Sequence, residues 1–289
     1  MNDAVRSQFP SLKRIVNGRP VVHLDGPAGT QVPQSVIDAM MHVYTNSNAN
    51  THGQFVTSQE TDQLIEHTRN QVAALLGAEG GHTISFGANM TSLNFVLANA
   101  ITKSLQPGDE ILITQLDHEA NRGPWLNQRR HGIVVREVLL EEDGSLDYAD
   151  LEKKISEKTR VIAIGLASNI FGTVNEIDRV RQLAYEVGAL LVVDGVHFLP
   201  HLLTDIRAID CDFLLCSAYK FYGPHVGILY SRPGALDRLD TDRLRVQTQN
   251  APYRIERGTL NHAALAGVSA AVDQAHVAAP DERHRQTTV

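Results

Sequence analysis

The chain has 289 residues, 43% of them hydrophobic, with a formal net charge of −7. That apolar content supports one large core or two smaller ones, and the acidic balance leaves no basic surface for nucleic acid. Clusters such as Arg129-Arg130-His131 read as solvated helix ends. No apolar run is long enough to span a bilayer, and Met1-Asn2-Asp3-Ala4-Val5-Arg6 lacks an apolar signal core. Two cysteines, Cys211 and Cys216, are too few for a disulfide framework or a zinc cage. A cytoplasmic protein with neither nucleic-acid nor membrane partners is expected.

Residues 1–20 read as an N-terminal arm, and the patterned elements begin at His82. Residues 82–86 form a strand, Gly87-Ala88-Asn89 a turn, and 91–104 a helix. A strand at 110–114, a helix at 124–130 and a strand at 133–140 follow, the last closed by an Asp143-Gly144 turn. Next come a helix at 147–155, a strongly apolar strand at 161–167, a helix at 176–187 and a strand at 189–194. Strands at 213–216 and 226–230 complete a large domain of residues 21–245. Residues 243–257 are polar and irregular, and 263–277 read as a helix within a separate segment, 246–277. The tail, 278–289, is expected to be disordered. Continuous apolar strands between amphipathic helices indicate the α/β class, a mostly parallel sheet with helices on both faces. Ligands bind such sheets beyond the carboxyl ends of the strands, where His118, Asn169, Asp194 and Lys220 fall.

Lys220 closes an apolar strand, an expensive place for an ammonium unless it is paired or neutralised. Lysine also condenses with aldehydes. Asp194 closes the preceding apolar strand. Together they supply what pyridoxal 5′-phosphate needs: an amine for the aldehyde carbon and a carboxylate for the pyridine nitrogen. Either residue alone reads more plainly as a surface lysine or a turn cap. The turn Gly87-Ala88-Asn89-Met90-Thr91 opens a helix and offers free amides to an anion. A competing chemistry is a metal bound by Asp194, His197 and His201, but Phe198-Leu199-Pro200 interrupts the helix that would align the imidazoles.

Five motifs in order carry a resemblance: Leu24-Asp25-Gly26-Pro27-Ala28-Gly29-Thr30, Asp117-His118-Glu119-Ala120-Asn121, Ser168-Asn169-Ile170-Phe171-Gly172-Thr173, Val193-Asp194-Gly195-Val196-His197 and Ser217-Ala218-Tyr219-Lys220-Phe221-Tyr222-Gly223-Pro224. Over residues 8–275 the chain resembles the cysteine desulfurase-like branch of the class V aminotransferases, fold-type I pyridoxal phosphate enzymes. The resemblance implies that 21–245 is the cofactor-binding large domain. It makes Lys220 the Schiff-base lysine and Asp194 the partner of the pyridine nitrogen. His118 stacks on the ring and serves in acid/base steps, and His197 and Asn169 lie beside the phenolic oxygen. Ala88, Asn89, Met90, Thr91, Ser217 and Tyr219 hold the phosphate. Thr259, in Gly258-Thr259-Leu260-Asn261, reaches the phosphate of a neighbouring subunit, so a homodimer is implied and 246–277 is its contacting segment. Thr259 also reads as a helix N-cap. Asn50-Thr51-His52-Gly53-Gln54-Phe55 resembles a substrate-side loop and reads equally as a flexible polar loop.

Family members continue into a smaller C-terminal domain with a substrate-binding arginine and, in desulfurases, a sulfur-accepting cysteine. Neither Cys211 nor Cys216 matches that cysteine, so a C-terminal truncation is expected. Carbon–sulfur cleavage of cysteine or a related amino acid is the implied reaction. Transamination, epimerisation or elimination on another amino acid, and an inactive cofactor-binding scaffold, are the alternatives.

Overall fold

The structure is a computed structural model and describes residues 3–278. Residues 279–289, most of the expected disordered tail, lie outside the described residues. The chain opens with α1 (Asp3–Arg6), a small hairpin of β1 (Ile15–Val16) and β2 (Arg19–Pro20), then α2 (Gln34–Asn46) and α3 (Val56–Leu76). The main alternation follows: β3 (Ile84–Gly87), α4 (Met90–Thr102), β4 (Glu110–Thr114), α5 (Glu119–Leu126), β5 (Val134–Val138), α6 (Tyr148–Lys154), β6 (Thr159–Gly165), α7 (Ile177–Val187), β7 (Leu190–Asp194), α8 (Ile206–Ile209), β8 (Phe213–Ser217) and β9 (Gly227–Ser231). Helix α9 (His262–Ala278) is the last described element.

Seven strands form one sheet in the order β3-β9-β8-β7-β6-β4-β5. Strand β9 pairs antiparallel with both β3 and β8, and every other pairing is parallel, so β9 alone runs against the rest. Alternate residues of each strand face opposite sides, as the pleat requires. Ile111, Ile113, Phe213 and Leu215 pack with Leu97, Ile101 and Trp125 of α4 and α5. Leu112, Leu214 and Cys216 face the other way, toward Leu76 of α3, Val180 of α7 and Val268 of α9. Both faces are therefore covered, as the α/β reading expects.

Helices α2 and α3 precede the first predicted strand. The buried face of α3 mixes Ser58, Thr61, Thr68 and Arg69 with Ile65, Val72 and Leu76, which breaks the apolar stripe that marks a helix in sequence. The sequence places a helix at 124–130, but α5 starts at Glu119, because the ring of His118 accepts the Ala120 amide at 3.0 Å and caps it. Pro124 then lies inside α5 and cannot donate to the carbonyl of Ala120. The buried Asn94 of α4 donates to that carbonyl instead, at 3.0 Å. Helix α5 is thus fastened to α4 where its own ladder is interrupted.

Candidate active site

The carboxyl ends of β3, β6, β7 and β8 meet the start of β9 along one edge. Gly227 pairs with Gly87 on one side and with Ser217 on the other. A Cβ on Gly227 would stand 2.3 Å from the carbonyl carbon of Asn89 and 2.6 Å from the amide of Met90. Only a glycine lets the turn before α4 rest on the strand. Asn89 caps α4, its side chain accepting the Ser92 amide at 2.8 Å. The other first-turn amides of α4 have no intrahelical partner and carry the positive end of the helix dipole. Ala88 and Thr91 are exposed, whereas the Met90 side chain is buried in the core, so Met90 offers this cup its amide alone. Ser217 is buried at the adjacent strand end.

Lys220 ends a short 3-10 turn that follows β8 and is 7% exposed. Its Nζ donates to the carbonyl of Pro27 and lies 4.9 Å from the centroid of the Tyr219 ring. Tyr219 is stacked on His225, with ring centroids 4.6 Å apart. Burial pushes the lysine pKa down, and Asp194 and Asp25 only partly oppose this. Asp194, at the end of β7, accepts the Val196 amide at 2.9 Å. Burial raises its pKa to about 6, against the smaller pull of Val196 and Lys220.

Half-buried His197 has its pKa lowered to about 4, first by burial and then by the charges of Lys220, His118 and His201. His118, His197, Asp194 and Lys220 therefore form one electrostatic neighbourhood. Exposed His118 uses Nδ1 as an acceptor, which leaves the proton of the neutral ring on Nε2. Asn169 is half-buried in the loop after β6, where the Ser168 hydroxyl accepts the amides of Ile170 and Phe171.

Thr259 stands apart. It is exposed and lines a cleft of ≈ 600 Å³ with Asn50, Thr51, His52 and His262, and none of the other expected site residues lines that cleft. The 50–55 loop is tied to α3: the Ser58 hydroxyl accepts the Gly53 amide at 2.7 Å and donates to Asn50, and Asp62 accepts the His52 amide at 3.0 Å. Residues 196–201 form turns rather than a helix. Among the described residues, no group of three or more His, Cys, Asp or Glu side chains is placed to hold a metal ion.

Three residues at this edge escaped the sequence reading. Asp117 accepts the Gly165 amide at 2.6 Å, and its other oxygen is buried without a hydrogen bond. Burial, with a smaller contribution from Asp194, raises its pKa to about 7. Asn94 ties α4 to α5, as described. Thr30 bonds to the lysine loop. Each makes its contact across a long span of chain; Asp117 and Thr30 both fall in quoted motifs, but nothing local marks the distant groups they meet.

These residues fit pyridoxal 5′-phosphate. The Asp194 carboxylate has a raised pKa and no ion pair among the described residues, a place for a cationic ring nitrogen. The lysine beside it is desolvated toward its neutral form. The Gly227 cradle aims a helix N-terminus at the same edge.

Comparison with known proteins identifies the family. Residues 22–288 match the model of the aminotransferase class-V family. The chain is 34% identical to a cysteine desulfurase of Pectobacterium atrosepticum, over 94% of this chain and 70% of that protein. It is 37% identical to one of Serratia proteamaculans, over 94% of this chain and 71% of that protein. Among solved structures, the Escherichia coli cysteine desulfurase CsdA superposes with a TM-score of 0.86 at 30% identity, covering 99% of this chain and 74% of that one. The cysteine desulfurase of Thermococcus onnurineus gives 0.86 at 26% identity, covering 95% and 70%. No helix among the described residues is long and apolar enough to cross a membrane. The chain therefore belongs to the class-V aminotransferase family, in its cysteine desulfurase-like branch of pyridoxal phosphate enzymes.

Proposed function

We propose that the chain holds pyridoxal 5′-phosphate at the Lys220–Asp194 edge and cleaves the carbon–sulfur bond of cysteine or a related amino acid. The observation that carries this reading is the pair itself: a desolvated lysine beside a buried carboxylate that makes no ion pair among the described residues, next to a helix N-terminus seated on Gly227. When bound, the cofactor supplies an aldehyde for the substrate amine and a ring that takes up electrons released at Cα.

The chain's residues do the rest. Lys220 Nζ, neutral more readily than an exposed lysine, removes the Cα proton. Asp194 holds a proton on the ring nitrogen, and that positive charge in turn keeps the carboxylate ionised. His118, with its proton on Nε2, gives that proton to the carbon when a thiol takes the sulfur, and to the departing sulfur when sulfide is eliminated. His197 stays neutral above about pH 4 and so leaves the cluster without a second cation beside Lys220. Asn169 and His197 serve the phenolic oxygen. The amides of Ala88, Asn89, Met90 and Thr91 hold the phosphate with Ser217 and Tyr219. Thr259, remote from the cup of its own chain, serves a second copy in a homodimer.

A second reading has its own observation. Cys211 and Cys216 are both buried, and burial pushes both thiols up, so neither is ready to accept sulfur. Sulfur then passes to an external thiol or leaves as sulfide after elimination. Incubation of the cofactor-loaded protein with cysteine and dithiothreitol separates the outcomes. Alanine with sulfide supports desulfuration, and pyruvate with ammonia and sulfide supports elimination. Cofactor absorbance without product leaves a binding scaffold and sinks both enzymatic readings.

A further inference from the structure

We propose that Thr30 is a positioning residue for Lys220: its backbone and hydroxyl span the lysine loop and set the direction in which Nζ points. The proposal rests on the reading of Lys220 as the amine that meets the cofactor aldehyde.

The lysine loop closes most of its own hydrogen bonds. Phe221 and Gly223 both donate to the carbonyl of Ala218, at 3.0 and 2.9 Å, and Ala218 donates to Val226 at 3.0 Å. The loop supplies no partner for the carbonyl of Tyr219 or the amide of Tyr222, the two groups that flank Lys220. Thr30 supplies both. Its amide and its hydroxyl donate to the Tyr219 carbonyl, each at 3.0 Å, and the same hydroxyl accepts the Tyr222 amide at 2.8 Å. A hydroxyl is one donor and an acceptor at once, and this position uses both capacities.

The loop needs such a hold. Tyr222 has φ +73, a left-handed conformation that is unfavourable for a residue with a side chain and persists only where its surroundings impose it. The edge-on contact of its ring with Phe9, at 5.5 Å, gives the second anchor. The segment that carries Thr30 also touches the lysine tip, because Pro27 accepts from Nζ. Gly29 lies flat against Tyr219, where a Cβ would come within 3.0 Å of the ring. Residues 27–30 thus contact Lys220 at its tip and its preceding peptide, across 189 residues of sequence. With the peptide fixed, the four-carbon stem has fewer directions available, which is what bringing the amine to a defined aldehyde carbon requires.

The test uses the full chain with Thr30→Val, nearly isosteric but without the hydroxyl, and Thr30→Ser, which keeps it. Two ligands separate the cup from the lysine. Pyridoxine 5′-phosphate lacks the aldehyde and reports the cup alone, by calorimetry. With pyridoxal 5′-phosphate the amine adds to the aldehyde and water leaves. The product is followed by absorbance across pH and trapped with borohydride for mass measurement at Lys220. Thr30→Val is expected to slow this attachment at least about tenfold and to shift its pH midpoint, while binding pyridoxine 5′-phosphate within about twofold of the parent. Thr30→Ser is expected to restore rate and midpoint to within about threefold. Attachment by Thr30→Val at the parent rate and midpoint overturns the proposal. Loss of pyridoxine 5′-phosphate binding by Thr30→Val also overturns it, since the hydroxyl then supports the whole pocket and not the lysine. If the parent chain itself never forms the attachment, the proposed function falls with it.

Discussion

Glu256 and Asp194 are both buried carboxylates, one beside β3 and the other at the end of β7, 6% and 9% exposed, and they face opposite circumstances. Glu256 meets a fully buried arginine: Arg69 donates to both of its oxygens, each at 2.8 Å, and the Phe86 amide donates to one of them at 2.7 Å. The guanidinium also lies about 5 Å from the Phe86 and Tyr253 rings. The two opposite charges answer each other within the chain, although the Arg69 Nε is buried without a hydrogen bond, and the group joins α3, β3 and the 253–256 turn. Among the described residues, Asp194 has one backbone donor and no ion-paired cation. A buried carboxylate left in that condition costs stability unless something else supplies the charge. One region is closed for architecture, and the other is open for a ligand.

Substitutions at the two carboxylates should break this comparison most sharply. Asp194→Asn is expected to lower kcat/KM for the cysteine reaction by about 10²–10⁴-fold, while the cofactor-free chain unfolds in urea at the same or a higher concentration. A large loss of cofactor-free stability would show that Asp194 is structural after all. Glu256→Gln is expected to do the reverse. Stranding Arg69 should cost about 3–5 kcal/mol in urea unfolding, and cofactor affinity of the folded fraction should stay within a few-fold.

Two smaller effects sharpen the contrast. Gly227→Ala forces the α4 turn off the strand, and about 1–3 kcal/mol of stability should go together with affinity for pyridoxine 5′-phosphate. Normal phosphate-ester binding by that variant would move the cup elsewhere. The last effect is pH dependence without cofactor. Asp117 and Asp194 have folded pKa values raised to about 7 and about 6 from 3.8, so the folded chain holds more protons than the unfolded one between those values. Their stabilising contribution is present at low pH and is lost as pH rises through about 6 to 7. His197, lowered to about 4 from 6.5, acts oppositely and loses its contribution as pH falls through that window. Asp117→Asn should therefore flatten the decline between about pH 4 and 7, by roughly 2–3 kcal/mol when urea midpoints at pH 5 and 8 are compared. An unchanged slope would place the titration on another group.

The sheet and most of its helices were legible because alternation and amphipathic spacing are local signals. The strands at Glu110–Thr114 and Leu190–Asp194 lie where the apolar runs put them, and each ends at a polar residue. Helix α3 was not legible, because four of the side chains it buries are Ser58, Thr61, Thr68 and Arg69. The start of α5 was missed because Pro124 looked like a first-turn residue, and its tolerance deeper in the helix depends on Asn94, a partner on another helix. In the site, the strand-end positions of Lys220 and Asp194 could be read in one dimension. Thr30 and the orphan oxygen of Asp117 could not, since their significance arises only when distant segments meet.

The solitary reversed strand gives Lys220 a fixed reach. Because Ser217 pairs with Gly227, the lysine rides on a loop of residues 218–226 whose two stalks are locked into neighbouring strands. The sheet acts as a gauge block and the covalent length of the loop as the rule laid on it. Adding or removing one residue between 218 and 226 would misplace the amine against the edge or force β9 to slip one position. A slip of one would turn Leu229 and Ile228 to each other's faces and take glycine away from the spot where Asn89 rests. Length in this loop should therefore be less free to change than the identity of the side chains it carries.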